Sequence, residues 1–205
     1  MATAKTQSVA ITNGQIGQIN DRLATKLRES GLSKDGVQAV LAAPNSKVID
    51  EMVVVLRKHV EANAEMIVRR VLVKRNRTVK GAVDAIQYVN GDVLSAAPRV
   101  NYTGQDEEWV EVVLFPLKKF TSVQDVQNLI TENGLTPDPQ ALATANEQDS
   151  SFADTHPNGT QWQDENGNFC CLDFSSWDGG RIVDCDRIED GWRDGWFVGG
   201  SRASS

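Results

Sequence analysis

Apolar residues recur at three- and four-residue intervals from Ile16 onward. Ile16, Ile19, Leu23 and Leu27 share one stripe of a predicted helix. Ser30-Gly31 ends it, since glycine accepts the left-handed conformation that closes helices. A second, shorter helix opens at Leu32-Ser33, with Ser33 as its cap and Val37, Val40 and Leu41 as its stripe. Pro44-Asn45-Ser46 breaks the chain. A third helix then carries Val48, Met52, Val55, Leu56 and His59, ending around residues 60–65. The first dozen residues are small and polar and read as a loose arm.

The period then changes. Met66 to Lys74 is dense in β-branched residues and predicts a strand, and Trp109 to Leu117 predicts a second. Thr78 can cap a short helix over Val79, Val83 and Ile86. Thr121 or Ser122 caps a longer one over Val123, Val126, Leu129 and Ile130, closed by Asn133-Gly134. Pro137 to Glu147 predicts another helix, with Pro139 in its first turn. Asn166-Gly167 is a hairpin signal joining Gly159–Glu165 to Asn168–Phe174. Arg181 to Arg187 alternates, putting Ile182, Asp184 and Asp186 on one face and Val183 and Cys185 on the other. Trp196 to Val198 predicts the last strand, before a polar tail. The order of elements is that of an α+β protein.

Composition sharpens this picture. The chain has 205 residues, 40% hydrophobic and 24% charged, which excludes collagen-like, wholly disordered and disulfide-dense classes. No apolar run approaches the roughly 20 residues of a membrane helix, so membrane insertion is not expected. The amino terminus shows no secretory pattern, which makes the cytoplasm the default expectation. Residues 1–120 carry 17 Lys and Arg against 13 Asp and Glu, whereas residues 121–205 carry 4 against 15. Four of the five tryptophans and all three cysteines lie beyond residue 160. The net charge of −7 argues against nucleic acid as a partner.

Candidate chemistry is sparse. The basic run Arg69, Arg70, Lys74, Arg75, Arg77 and Lys80 lacks interleaved aromatic residues, and reads as a solvated strand edge. His59 and His156 have no second histidine at metal-ligand spacing, so no metal site is expected. Cys170, Cys171 and Cys185 lack a defined base. Asp164 to Asn168 and Asp184 to Asp190 resemble calcium loops only loosely, since the first lacks the loop glycine and the closing glutamate. These residues predict no cofactor and no enzyme. A metal-dependent hydrolase built on the carboxylates is a distant alternative. An ordinary α+β interaction protein with an acidic surface is the nearer one.

His156-Pro-Asn-Gly-Thr-Gln-Trp162, Asn166-Gly-Asn-Phe-Cys170, Trp192 and Trp196-Phe-Val-Gly199 form an ordered series. It resembles the end of a C-type lectin-like domain, and more narrowly the variable proteins of diversity-generating retroelements. The Thr78–Val89 region and Leu135–Asn146 are similar to the same group. The apolar stripes make residues 1–64 a helical amino-terminal segment, ahead of the region the resemblance covers. It implies a lectin-like domain of short antiparallel strands and two or three helices over 65–205. In that family, misincorporation opposite template adenines turns AAC codons into many others. The resemblance therefore implies a variable ligand-binding face at Cys171, Ser175, Asp178, Ile182, Asp184, Asp186, Asp190, Arg193 and Gly195, all reachable from AAC. Trp177, Val183, Trp192, Trp196 and Phe197 would be its fixed frame. The expected ligand is a protein, and the amphipathic stripes of the amino-terminal helices suggest attachment or homo-oligomerisation.

Overall fold

The computed structural model describes residues 11–62, 64–83, 89–90, 93–178 and 180–204. The chain divides into two compact units, residues 1–63 and 64–205.

In the first unit the three apolar stripes become α1 (Asn13–Glu29), α2 (Lys34–Ala42) and α3 (Val48–Glu61). Thr12 caps α1 reciprocally. Its hydroxyl accepts from the Gln15 N–H at 3.2 Å, while the Gln15 side chain accepts from the Thr12 N–H at 2.9 Å. Ser33 Oγ accepts from the Gly36 N–H at 3.1 Å to start α2. Asp50 and Glu51 begin α3 and Lys58 and His59 end it, each favourable to the helix dipole. Neither α1 nor α2 contains a buried residue among those described. Ile19, Leu23, Val37 and Met52 are half-buried.

The second unit begins with β1 (Ile67–Lys74), α4 (Val79–Val83), β2 (Val89–Asn90), a 3-10 turn at Val93–Ala96 and β3 (Glu107–Pro116). β4 (Thr121–Ser122), α5 (Val123–Glu132), α6 (Pro139–Gln148) and α7 (Phe152–Thr155) follow. β5 (Asn158–Gln163), β6 (Phe169–Trp177), β7 (Gly180–Asp184), β8 (Gly191–Trp192) and β9 (Phe197–Ala203) complete it. Thr78 Oγ1 accepts from the Gly81 N–H at 3.0 Å, and Ser122 Oγ from the Asp125 N–H at 3.2 Å, so both predicted caps form. Residues 1–10, Ile86 and the side chain of Trp177 lie outside the described residues.

Among the described residues, seven strands form one sheet in the order β1-β3-β9-β5-β6-β7-β2, and β4 pairs with β8. The protein is therefore α+β, and in the second unit helices pack on both faces of the sheet. Two expectations need correction. The sheet is mixed, because β5 runs parallel to β9 and β2 parallel to β7. Among the described residues four helices, α4 to α7, stand where two or three were expected.

Alternation gives the sheet two faces. One buries Ile67, Val71, Val110, Leu114, Trp162, Leu172 and Phe174 under α6 and α7. Eight of the ten residues of α6 are buried, and its alanines allow it to lie close to β1. The other face packs Val113, Val198, Cys171 and Trp192 with Val126 and Ile130 of α5.

The last strand is longer than the predicted Trp196–Val198, running through Gly199, Gly200 and Ser201. A Cβ at Gly199 would stand 1.9 Å from the Val113 carbonyl oxygen, and one at Gly200 2.5 Å from that of Thr136. The glycines that suggest a tail are what let this segment enter the sheet between β3 and β5.

The basic run is only partly a solvated edge. β1 is the edge strand, yet alternation turns Arg69 inward, where it donates to Asp149 at 2.8 Å and lies 4.0 Å from the Phe152 ring centre. Arg75 is enclosed as well. Its Nε donates to Glu108 at 2.6 Å, and Nη1 and Nη2 donate to the two oxygens of Asp138 at 3.0 and 2.7 Å. Ser201 donates to Asp138 at 2.8 Å, and Asp138 caps α6 by accepting from the Ala141 N–H. This buried network joins the end of β1 to β3, β9 and α6.

Candidate ligand-binding face

Register decides which side chains share the sheet surface beyond α5. In the β6–β7 hairpin Asp173 stands opposite Asp184, and Ser175 opposite Ile182. Directly opposed residues of antiparallel strands point to the same side. Phe174 and Val183 point the other way, into the core. Beyond β7 the alternation continues, with Cys185 buried and Asp186 half-exposed. Ser175, Ile182, Asp184 and Asp186 are all half-exposed. Of the anticipated face, these four are brought together.

The remaining anticipated residues fall differently. Asp190 and Arg193 are exposed in the loop between β7 and β9. Cys171 is 5% exposed and packs in the core beneath Trp192, so it forms the floor and not the surface. Asp178 follows the end of β6 with φ +49°. This left-handed conformation suits Asp, Asn and Gly and strains branched side chains. Gly195, exposed, has φ +81° and donates its N–H to Leu117 O at 2.9 Å. Backbone and burial therefore leave six of the nine positions open to substitution: Ser175, Ile182, Asp184, Asp186, Asp190 and Arg193.

The loop that carries Asp186 to Gly195 is pinned at several points. The Ile188 N–H donates to Phe169 O at 3.0 Å, and Cys170 bridges to Arg187. The Trp192 Nε1–H donates to Gln161 Oε1 at 2.8 Å, and Gln161 in turn donates to Val123 O at 2.6 Å. The Trp192 ring occupies the space over Gly159, where a Cβ would come within 2.2 Å of it. Trp196 meets Trp192 edge-on at 5.5 Å. Buried tryptophan thus holds the loop down from below while Glu189, Asp190, Arg193 and Asp194 remain outside.

The electrostatics of this surface centre on Asp173, which the sequence reading passes over. Burial first, then the nearby charges of Asp184 and Asp186, push its carboxyl up to about 7. Alternation could have found it, because it lies two residues from both Cys171 and Ser175. Burial, aided by Asp173, also pushes the Cys171 thiol well above its ordinary value, so it is a poor nucleophile. The turn at Asp164 needs no ion to explain it. Its carboxylate accepts from the backbone of Asn168 and Asn166, both at 2.9 Å, and from the Asn168 amide at 3.2 Å. Those bonds, led by the Asn168 N–H, hold it below the usual carboxylate range.

His156 does not join these acids. Its ring is buried between Phe152 and Phe197, on the α7 side of the sheet, and its Nδ1 is 2.8 Å from Thr155 Oγ1. The sheet stands between it and Asp184. Among the described residues, no three His, Cys, Asp or Glu side chains are grouped so as to hold a metal ion. No described helix is long and apolar enough to cross a membrane. Compared with family models, curated proteins and solved structures, the chain matches none.

Proposed function

We propose that this chain is a ligand-binding protein that displays a substitutable surface on a C-type lectin-like scaffold, with a protein as its partner. The carrying observation is the division of labour across β6, β7 and the following loop. Ser175, Ile182, Asp184, Asp186, Asp190 and Arg193 face outward, while Phe174, Val183 and Cys185 anchor the strands from the opposite face and buried Trp192 holds the loop from beneath. Outward residues on a rigid frame can change with little loss of stability, as antibody loops do on their sandwich.

The lectin-like part of the reading is supported by contiguity. The segments that carry the resemblance fall on β5, on the β5–β6 turn, at Trp192 and on β9. β5 pairs with both β6 and β9, and Trp192 lies on Gly159 of β5. Diversification by a retroelement further requires a reverse transcriptase gene and a near-repeat of the coding region nearby.

The test is a substitution series followed by chemical denaturation. Ser175→Tyr, Ile182→Asn, Asp190→Ser and Arg193→Ser should each change stability by no more than about 0.5 kcal/mol. Asp178→Val should cost about 1 kcal/mol or more, while Asp178→Asn is tolerated. Equal losses at outward and inward positions would sink the display reading. Sequencing the genomic neighbourhood and finding neither gene nor repeat would remove diversification.

A further inference from the structure

The amino-terminal unit carries an exposed apolar seam on α3. On α3, Ile49, Val53, Leu56 and Val60 are spaced four, three and four residues apart, the alternation of a coiled-coil seam. They are 56%, 50%, 41% and 60% exposed. Val48 and Met52, on the adjoining flank of the same helix, are half-buried. Val55, on that same flank, is 57% exposed and Val54, on the opposite side, 41%, so spacing and charge single out the row that meets a partner. Singly exposed aliphatic residues are ordinary, but an uninterrupted row of four marks an interface.

Charge selects both the occupant and its direction. Asp50 and Arg57 are one heptad apart and follow Ile49 and Leu56 directly, so they line the same edge of the seam. A parallel partner would set that edge against the opposite one, which carries Met52 and His59. An antiparallel copy sets it against itself, so that each Asp50 meets an Arg57. Two-fold symmetry repeats the pair. The acidic first turn of each helix, Asp50 and Glu51, also comes beside the basic last turn of the other, which contains Lys58.

We propose that the protein forms an antiparallel two-fold dimer through α3, with Ile49 packing against Val60 of the second copy, Val53 against Leu56, and Asp50 meeting Arg57. Each dimer then carries two ligand-binding faces, which raises avidity for a multivalent partner without any new contact.

Sedimentation of the 205-residue chain tests this. A dimer is expected at micromolar concentration, and Val53→Glu with Leu56→Glu should convert it to monomer. Tryptophan fluorescence checks the fold of the second unit in each variant, since all five tryptophans lie there. Asp50→Arg and Arg57→Asp should each weaken the dimer about tenfold, and their combination should restore it. Val53→Cys mixed with Leu56→Cys should cross-link faster than either alone. A chain that stays monomeric, a dimer indifferent to the Glu substitutions, charge reversals that fail to compensate, or faster self-cross-linking of Val53→Cys would each overturn the proposal.

Discussion

Asp173 shows how one carboxyl can work against its own fold. Its ordinary value lies near 3.8, and burial beside Asp184 and Asp186 raises it to about 7 in the folded chain. The folded state therefore holds this proton more tightly than the unfolded state. Its contribution is fully present below about pH 4 and is lost as pH rises through 7. Asp173→Asn should remove this dependence and raise stability at pH 8 by about 1–3 kcal/mol, with little gain at pH 4. Parallel denaturation curves at the two pH values check it. An unchanged pH dependence in the variant would contradict the assignment. Glu108 behaves oppositely. Burial disfavours its charge, but hydrogen bonds from Arg75 and from the Tyr102 and Thr103 N–H groups outweigh that and hold it below the usual range. Its contribution is lost as pH falls through the acidic range.

Between elements, the Arg75 network is the joint that packing alone would not provide. Arg75, Glu108 and Asp138 side chains are 4%, 1% and 0% exposed, so removing the guanidinium strands two buried carboxylates. Arg75→Leu should cost about 3–5 kcal/mol, read by urea denaturation. A loss under about 1 kcal/mol would show that water or another cation replaces it. The sequence displays Arg75 only as one member of a basic run beside a turn. Its burial follows from Asp138 arriving at the start of α6, sixty-three residues later. Helix starts were far more legible. Thr78, Ser33 and Ser122 each cap the helix expected of them, because a cap bonds to an N–H only three residues away.

At the scale of the molecule, the two units report through different signals. Every tryptophan lies in residues 64–205, while both units contribute helix. Thermal unfolding followed by fluorescence and by far-ultraviolet circular dichroism should give non-coincident transitions. Only the dichroism transition should shift to higher temperature with protein concentration, because the proposed dimer seam lies on α3. Coincident, concentration-independent transitions would mean that the units unfold together and without dissociation. The uneven charge of the chain follows the same division. Asp178, Asp184, Asp186 and Asp190 all lie on the hairpin and loop of the second unit, where substitution at the open positions would alter net charge directly.

The helices with their caps, the strand alternation of Ile182 to Asp186 and the Asn166-Gly167 hairpin are set by residues within about five positions of each other. Such features were readable from the chain itself. The entry of β9 between β3 and β5, the enclosure of Arg69 and Arg75, the burial of Cys171 and the crowding around Asp173 were decided by tertiary structure. Each depends on which distant strand or helix lies alongside. A side chain's period says which way it points, but only the neighbouring backbone determines whether it meets water, an opposite charge or another carboxylate.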